Sequence, residues 1–312
     1  MTALASREQT VDLRAPRRGP GHVLLPLAIA ALAAAGAYLV YRLFVRTSLG
    51  QAVDNAALRS GVHHPKMDEV LGRALDNTTL ASVVLVCVVA AAIGILRKRV
   101  DLAVGAAFLV LGANGSVELL KGHLVRPDLD HFPGPNSFPS GHTAAAASVV
   151  YALVLVLPRA VRGTVALIGF VYVTVIAIAT VWAEWHRPSD TMAAMLVVLA
   201  WGAAAVFVIR VLRLRKPEPG ERPSRLAQWP LLAAFAITAT AGVLGMLAVA
   251  FSERFHPGLV SGRIAFLAGS AVMAAATAGS FVFWVRLTSG PRRRPLPVVT
   301  APAPAPATSE TD

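Results

Sequence analysis

The sequence predicts an all-α protein, a polytopic transmembrane helical bundle of about eight spans in which a six-helix core is followed by two more helices. Three observations carry this expectation. Apolar residues make up 55% of the 312 residues and charged ones 15%, whereas a soluble domain is about one quarter charged. The apolar residues collect in blocks near the ~20 residues that a helix needs to cross a bilayer. The formal charge of +12 sorts onto one side of the topology those blocks define. These features exclude a soluble enzyme. A disulfide framework is excluded too, because Cys87, the single cysteine, lies inside an apolar block.

Eight uncharged runs mark the spans: Val23–Tyr41, Leu80–Leu96, Leu102–Leu120, His142–Leu157, Gly163–Trp182, Thr191–Ile209, Leu231–Phe251 and Ile264–Val285. A basic leader with Arg14, Arg17 and Arg18 precedes the first. That run outlasts the ~7–15 residues of a signal h-region, so it is expected to be an uncleaved anchor. With the N-terminus inside, the inner segments hold 19 Lys/Arg and 7 acids, and the outer segments hold 10 of each. The entire surplus then lies on one side, as the positive-inside rule requires. Both tails are expected in the cytoplasm, and the high pI calls for no nucleic-acid partner.

The expected organisation follows from these runs. It comprises a basic N-tail (1–22), the core (23–210) with an outer loop at 42–79, a basic linker (211–228), two additional transmembrane helices (229–287) and a disordered Ala/Pro/Thr-rich tail (288–312). Within the outer loop Leu49, Val53, Ala57 and Leu58 recur at helical spacing. They predict one or two helices on or near the membrane surface, as a cap over the bundle or a lid over a lipid site.

Two outer loops concentrate the polar residues. One contains Lys121-Gly-His-Leu-Val-Arg126-Pro and then Asn136-Ser-Phe-Pro-Ser140-Gly141-His142-Thr; the other reads Glu184-Trp-His186-Arg187-Pro-Ser-Asp190. The helix after each loop runs inward, so its free N–H groups and positive dipole end face outward. Ser140-Gly141-His142 therefore marks an anion site at a helix start, with Gly141 allowing close approach and the Ser140 hydroxyl adding a donor. Pro188 suits a first helical turn. Asp190, four residues after His186, can fix the imidazole tautomer and leave the other ring nitrogen as a nucleophile. Lys121, Arg126 and Arg187 add cations in the same layer. Together these residues suit phosphoryl transfer: His186 attacks phosphorus, His142 serves as acid and then base, and cations and backbone donors hold the equatorial oxygens.

The Pro-Ser-Gly-His at 139–142 and the His-x-x-x-Asp at 186–190 resemble the second and third motifs of the type-2 phosphatidic acid phosphatase superfamily, in its membrane lipid phosphate phosphatase branch. The order of motifs and helices agrees over about residues 20–210. The resemblance implies His186 as nucleophile, Asp190 as its orienting partner and His142 as acid/base. It further implies Ser140 and Gly141 as phosphate ligands and Lys121 as a first-motif ligand. Two departures stand out. The family's first motif spaces its Arg-Pro six residues beyond the lysine, a position that falls here on Asp128-Leu129, whereas Arg126-Pro127 comes after four. The third motif's Ser-Arg falls on Ala179 and Thr180, which leaves Arg187 as the nearest substitute.

The expected function is metal-independent hydrolysis of a lipid phosphomonoester or diphosphate, of the phosphatidate or polyprenyl diphosphate class, on the extracytoplasmic face of the cell membrane. The alternatives are a lipid phosphotransferase using the same site, and a degenerate member that binds lipid or serves assembly. No cofactor is expected. His63, His64, His123, His131, Asp128 and Asp130 show no known zinc spacing. Glu118 can pair with Lys121 one turn away, and Trp182 and Trp185 suit an interfacial aromatic belt. Ala, Arg, Gly and Pro usage fits a GC-rich bacterial genome.

Overall fold

The structure is a computed structural model that describes residues 21–59, 80–132, 134–213 and 225–289, together with 69, 72, 73 and 75. Most of the N-tail with Arg14, Arg17 and Arg18, most of the outer loop after residue 59 with His63 and His64, linker residues 214–224 and the tail from 290 onward lie outside the described residues. The chain forms α1 (Gly21–Val40), a π-helical turn (Tyr41–Val45), α2 (Ser48–Leu58), α3 (Leu80–Leu96), α4 (Val100–His123), α5 (Gly141–Val156), α6 (Arg159–Trp182), α7 (Pro188–Leu212), α8 (Arg225–Phe255) and α9 (Gly262–Ser289). Among the described residues there is no strand.

Each uncharged run of the sequence lies on a helix, and several helices outrun the apolar stretch at one end or both. Six helical segments are long and apolar enough to cross a membrane: Val23–Val45, Val100–His123, Arg159–Trp182, Pro188–Leu212, Ala227–Phe255 and Gly262–Ser289. The expected count of about eight is thus met for six. Helices α3 and α5 are apolar but shorter. With 16 residues, α5 is about 24 Å long at ~1.5 Å per residue, less than the ~30 Å of a hydrocarbon core. Its length is set by the Ser140 cap at one end and Leu157-Pro158 at the other. It lies in the middle of the bundle, in contact with α3, α4, α6, α7 and α9.

Small residues let these helices approach closely, as lipid-embedded packing requires. A Cβ on Gly169 would lie 2.1 Å from Val150 Cγ1, and one on Gly112 would lie 2.3 Å from Trp201. Polar side chains find partners between helices: Asn114 Nδ2 donates to Ser148 Oγ at 3.0 Å, and Trp201 Nε1 to Ser116 Oγ at 2.9 Å. At the end of the bundle away from the two motif loops, arginines cap helix C-termini. Arg97 donates to the Val156 carbonyl, Arg162 to those of Leu155 and Leu157, and Arg210 to that of Leu287, while Arg213 pairs with Asp101 at 2.5 Å. The basic residues that define the charge asymmetry therefore also neutralise the carbonyl ends of α5 and α9.

Helix α2 forms in the outer loop where the apolar spacing predicts a helix, and it packs against the bundle. Gln51, Val53, Asp54, Asn55, Ala56, Ala57 and Leu58 are all buried. Val53 and Ala56 pack against Val249, Ala265 and Ala268 of α8 and α9. Ala57 and Leu58 pack against Ala177, Val181 and Met273 of α6 and α9. The amphipathic pattern is real, but its polar side is buried as well, because it faces the loops that carry the motifs.

Overpacking the α5–α6 contact tests this arrangement. Gly169→Val should destabilise the protein by about 1–3 kcal/mol and lower the Tm in detergent. Gly115→Ala, where nothing lies within 4 Å of the added Cβ, should leave it nearly unchanged.

Candidate active site

Three chain segments meet at one end of the bundle: the stretch after α4, the start of α5 and the turn between α6 and α7. Helix α6 closes on the Thr180 carbonyl, which accepts the amides of Trp185 and His186 at 3.0 and 3.1 Å. Glu184 takes a positive φ of 58° in that turn. Pro188 opens α7 at its first turn, as expected. A bond from the Ser140 amide to the Asp190 carbonyl (3.0 Å) ties the start of α5 to the start of α7, so the two motifs share one backbone contact.

Asp190 is fully buried and collects the partners around it. Arg126 Nη2 donates to Oδ1 at 2.7 Å; Ser137 Oγ donates to Oδ2 at 2.5 Å, and the Arg187 amide to the same oxygen at 3.0 Å. His186 Nδ1 lies 3.5 Å from Oδ2, a contact that tightening would turn into a hydrogen bond. His186 sits in the turn before α7, and the carboxylate folds back over the helix start to reach it.

The His142 and His186 rings lie edge to face in the site, centroids 6.3 Å apart. Trp185 packs against His142 at 5.4 Å, so this indole touches the site in addition to its place at the exposed rim. The Ser140 hydroxyl caps α5 by accepting the Thr143 amide at 3.3 Å, while its own proton remains a donor. A Cβ on Gly141 would lie 2.9 Å from Lys121 Nζ, so the ammonium rests against the first residue of α5. Lys121 also pairs with Glu118 at 3.2 Å, as the one-turn spacing anticipated.

Arg126 is the guanidinium nearest the carboxylate despite its displaced position in sequence. Its Nε and Nη1 are buried with no hydrogen-bond partner among the described residues, an arrangement that an incoming anion would satisfy. Asp128, at the position the family motif gives to arginine, instead accepts the Phe132 amide at 3.1 Å and closes a local turn. The Thr180 hydroxyl is tied to the Ala177 carbonyl of its own helix. Arg187 is buried; its Nε donates to Asn55 Oδ1 and its Nη1 to Ser137 Oγ at 3.3 Å. Burial and the neighbouring Arg126 charge pull its pKa below the ordinary value, opposed by Asp190, Asp54 and Asp130. Among the described residues no group of three or more His, Cys, Asp or Glu side chains is placed to hold a metal, so His123, His131, Asp128 and Asp130 do not form such a group.

Sequence reasoning missed Ser137, Asn136, Gln51, Asp54 and Asn55. Asn136 shapes the loop, donating to the Leu124 carbonyl at 2.9 Å and accepting the Phe138 amide at 3.2 Å. Asp54 is fully buried and accepts the Ser189 amide at 3.0 Å, with Ser189 Oγ 2.5 Å from its other oxygen. The cluster of Gln51, Asp54 and Asn55 opposite the apolar stripe of this helix was the available signal.

The model of the PAP2 superfamily matches residues 116–215, the stretch from the last turns of α4 through the end of α7 that holds both motifs. That segment matches the superfamily the motifs resemble, and six helical segments of the chain are long and apolar enough to cross a membrane. The match is narrower than the 20–210 resemblance and leaves out α1–α3 as well as α8 and α9. No curated protein and no solved structure matches the chain.

Burial, and then the charge of Asp190, push the Asp54 carboxyl up from 3.8 to about 7. A carboxyl whose folded-state pKa is raised binds its proton more tightly folded than unfolded, so its contribution to stability is full below the unfolded value. That contribution is lost as the pH rises through the folded one. Asp54→Asn mimics the protonated form. The Tm of the wild type relative to Asp54→Asn should therefore fall between pH 4 and pH 7; a pH-independent difference would contradict the assignment.

Proposed function

We propose that this protein hydrolyses a lipid phosphomonoester or diphosphate, of the phosphatidate or polyprenyl diphosphate class, through a phosphohistidine at His186. The observation that carries this is the edge-to-face pair of imidazoles, 6.3 Å apart, with the Asp190 carboxylate behind one of them and two buried guanidinium groups alongside.

With Nδ1 turned to Asp190, His186 presents Nε2 to phosphorus. The N–P bond forms as the bond to the leaving oxygen breaks, and His142, entering protonated, gives that oxygen its proton. Water then attacks phosphorus while His142 takes its proton. The N–P bond breaks, releasing phosphate and restoring His186. Lys121, the free edge of Arg126, Arg187, the Ser140 hydroxyl and the amides at the start of α5 supply positive charge and donors for the equatorial oxygens. The site lies at helix ends, where a lipid can present its headgroup while its chains stay in the bilayer. Placement of the site on the extracytoplasmic face of the cell membrane, with both termini in the cytoplasm, is supported by the arginine-rich opposite end of the bundle.

Thr180 favours a second reading. With no arginine there, and the hydroxyl bound to Ala177, a lipid-binding member without turnover would have the same fold. Phosphate release from phosphatidate and a polyprenyl diphosphate by the purified protein separates the two. The expected outcome is turnover that survives EDTA, since the charge needed comes from side chains. His142→Ala should cost about 10²–10⁴-fold, and His186→Ala should abolish a trappable labelled phosphoenzyme. No turnover, or variants that match the wild type, would sink the catalytic reading. A phosphotransferase would instead reveal itself by transfer to an added lipid acceptor.

A further inference from the structure

Helix α2 lies outside the family segment, yet three of its side chains reach the site's framework. Gln51 Nε2 donates to the Val45 and Pro127 carbonyls at 2.8 and 2.6 Å, and its Oε1 accepts the Leu129 amide at 3.0 Å. It therefore holds the backbone directly after Arg126. Asp54 holds the first turn of α7 through Ser189. Asn55 stands between two charges, accepting from Arg187 Nε and donating from Nδ2 to Asp130 Oδ2 at 2.8 Å.

The chemistry fixes which way the Asn55 amide points. A guanidinium only donates and a carboxylate only accepts, so Oδ1 must face Arg187 and Nδ2 must face Asp130. Aspartate at this position would set two carboxylates against each other, and a hydrophobe would take away the bonds that Asn55 makes to Arg187 Nε and to Asp130 Oδ2. Asn55 is buried at 1% exposure, and the other faces of α2 are packed by α6, α8 and α9. The amide is thus a fixed stop for the guanidinium. Held at Nε by Asn55, Arg187 reaches with Nη1 the Ser137 hydroxyl that itself donates to Asp190.

We propose that Asn55 is a positioning residue. It turns the Arg187 guanidinium to the Ser137–Asp190 edge of the anion pocket, where Arg187 takes the place of the arginine that the third motif lacks at 180. This rests on the phosphate-binding reading of the pocket. It also gives α8 and α9 a part in the site, as the wall that keeps α2 in register.

The test uses the full chain in detergent, with inorganic phosphate as probe, read as a rise in Tm and as inhibition of phosphatidate turnover. Phosphate should stabilise the wild type. Arg187→Ala and Asn55→Leu should each weaken phosphate affinity about tenfold, the scale of one charge-assisted hydrogen bond, and raise KM similarly with a smaller change in kcat. The double variant should bind no worse than Arg187→Ala alone, because Asn55 acts through that side chain. Added guanidinium chloride at millimolar concentration should restore phosphate affinity to Arg187→Ala but not to the double variant, which lacks the amide that seats it. Should Asn55→Leu not fold, Asn55→Ser, too short to reach the guanidinium, gives the same readout. Unchanged affinity in the Asn55 variant, additive losses, or equal rescue of single and double variants would overturn the proposal while leaving the phosphatase reading intact. The converse result, the expected phosphate pattern without lipid turnover, would remove the phosphatase reading and keep the role of Asn55. No effect of phosphate on the wild type would overturn the role of Asn55, and the phosphatase reading would then stand or fall with lipid turnover.

Discussion

A carboxylate cut off from solvent at the first turn of α7 holds the candidate site together. Asp190 is 0% exposed and Arg126, its ion-pair partner, nearly as buried. Such a charge persists only where its oxygens are satisfied, and here they bind Arg126, Ser137 and the Arg187 amide, with His186 beside them. Each partner comes from a different part of the chain: the stretch after α4, the loop before α5 and the turn before α7. Removing Arg126 would leave the carboxylate short of a cation at a cost of about 3–5 kcal/mol, offset in part by the positive end of the α7 dipole. The constraint that stabilises the junction is therefore also the one set beside the His186 imidazole.

The two ends of the bundle solve opposite problems. Helix N-termini at the site end leave donors that an anion can take up, and the protein adds Arg126, Arg187 and Lys121 around them. Helix C-termini at the other end leave carbonyls, and Arg97, Arg162 and Arg210 bind those directly. Between the ends, contacts such as Gly169 on Val150 and Gly112 on Trp201 keep the helices close enough for a short central α5 to be enclosed. The last two helices contribute no residue to either motif. They meet the site's framework through α2, whose apolar side they cover and whose polar side touches the motif loops, and directly where Gly269 of α9 lies against Pro188.

What the sequence by itself determined is whatever depends on local composition and chain order. Helices occupy every long uncharged run, Ser140 and Pro188 open helices as their chemistry dictates, and Pro-Ser-Gly-His with His-x-x-x-Asp located the histidines and the carboxylate. The family match over 116–215 bears out that resemblance where the motifs lie. Tertiary structure decided the rest. Counting from Lys121 lands on Asp128, and Arg126 was the arginine at hand, but loop spacing does not reveal which guanidinium can fold back to a buried carboxylate. Arg126 does so, while Asp128 merely closes a turn. The outer helix was legible because Leu49, Val53, Ala57 and Leu58 define an apolar stripe, but periodicity cannot tell whether the opposite face meets water or a polar site. Gln51, Asp54 and Asn55 meet the site, since their hydrogen-bond partners lie scores of residues away and only folding brings them within reach.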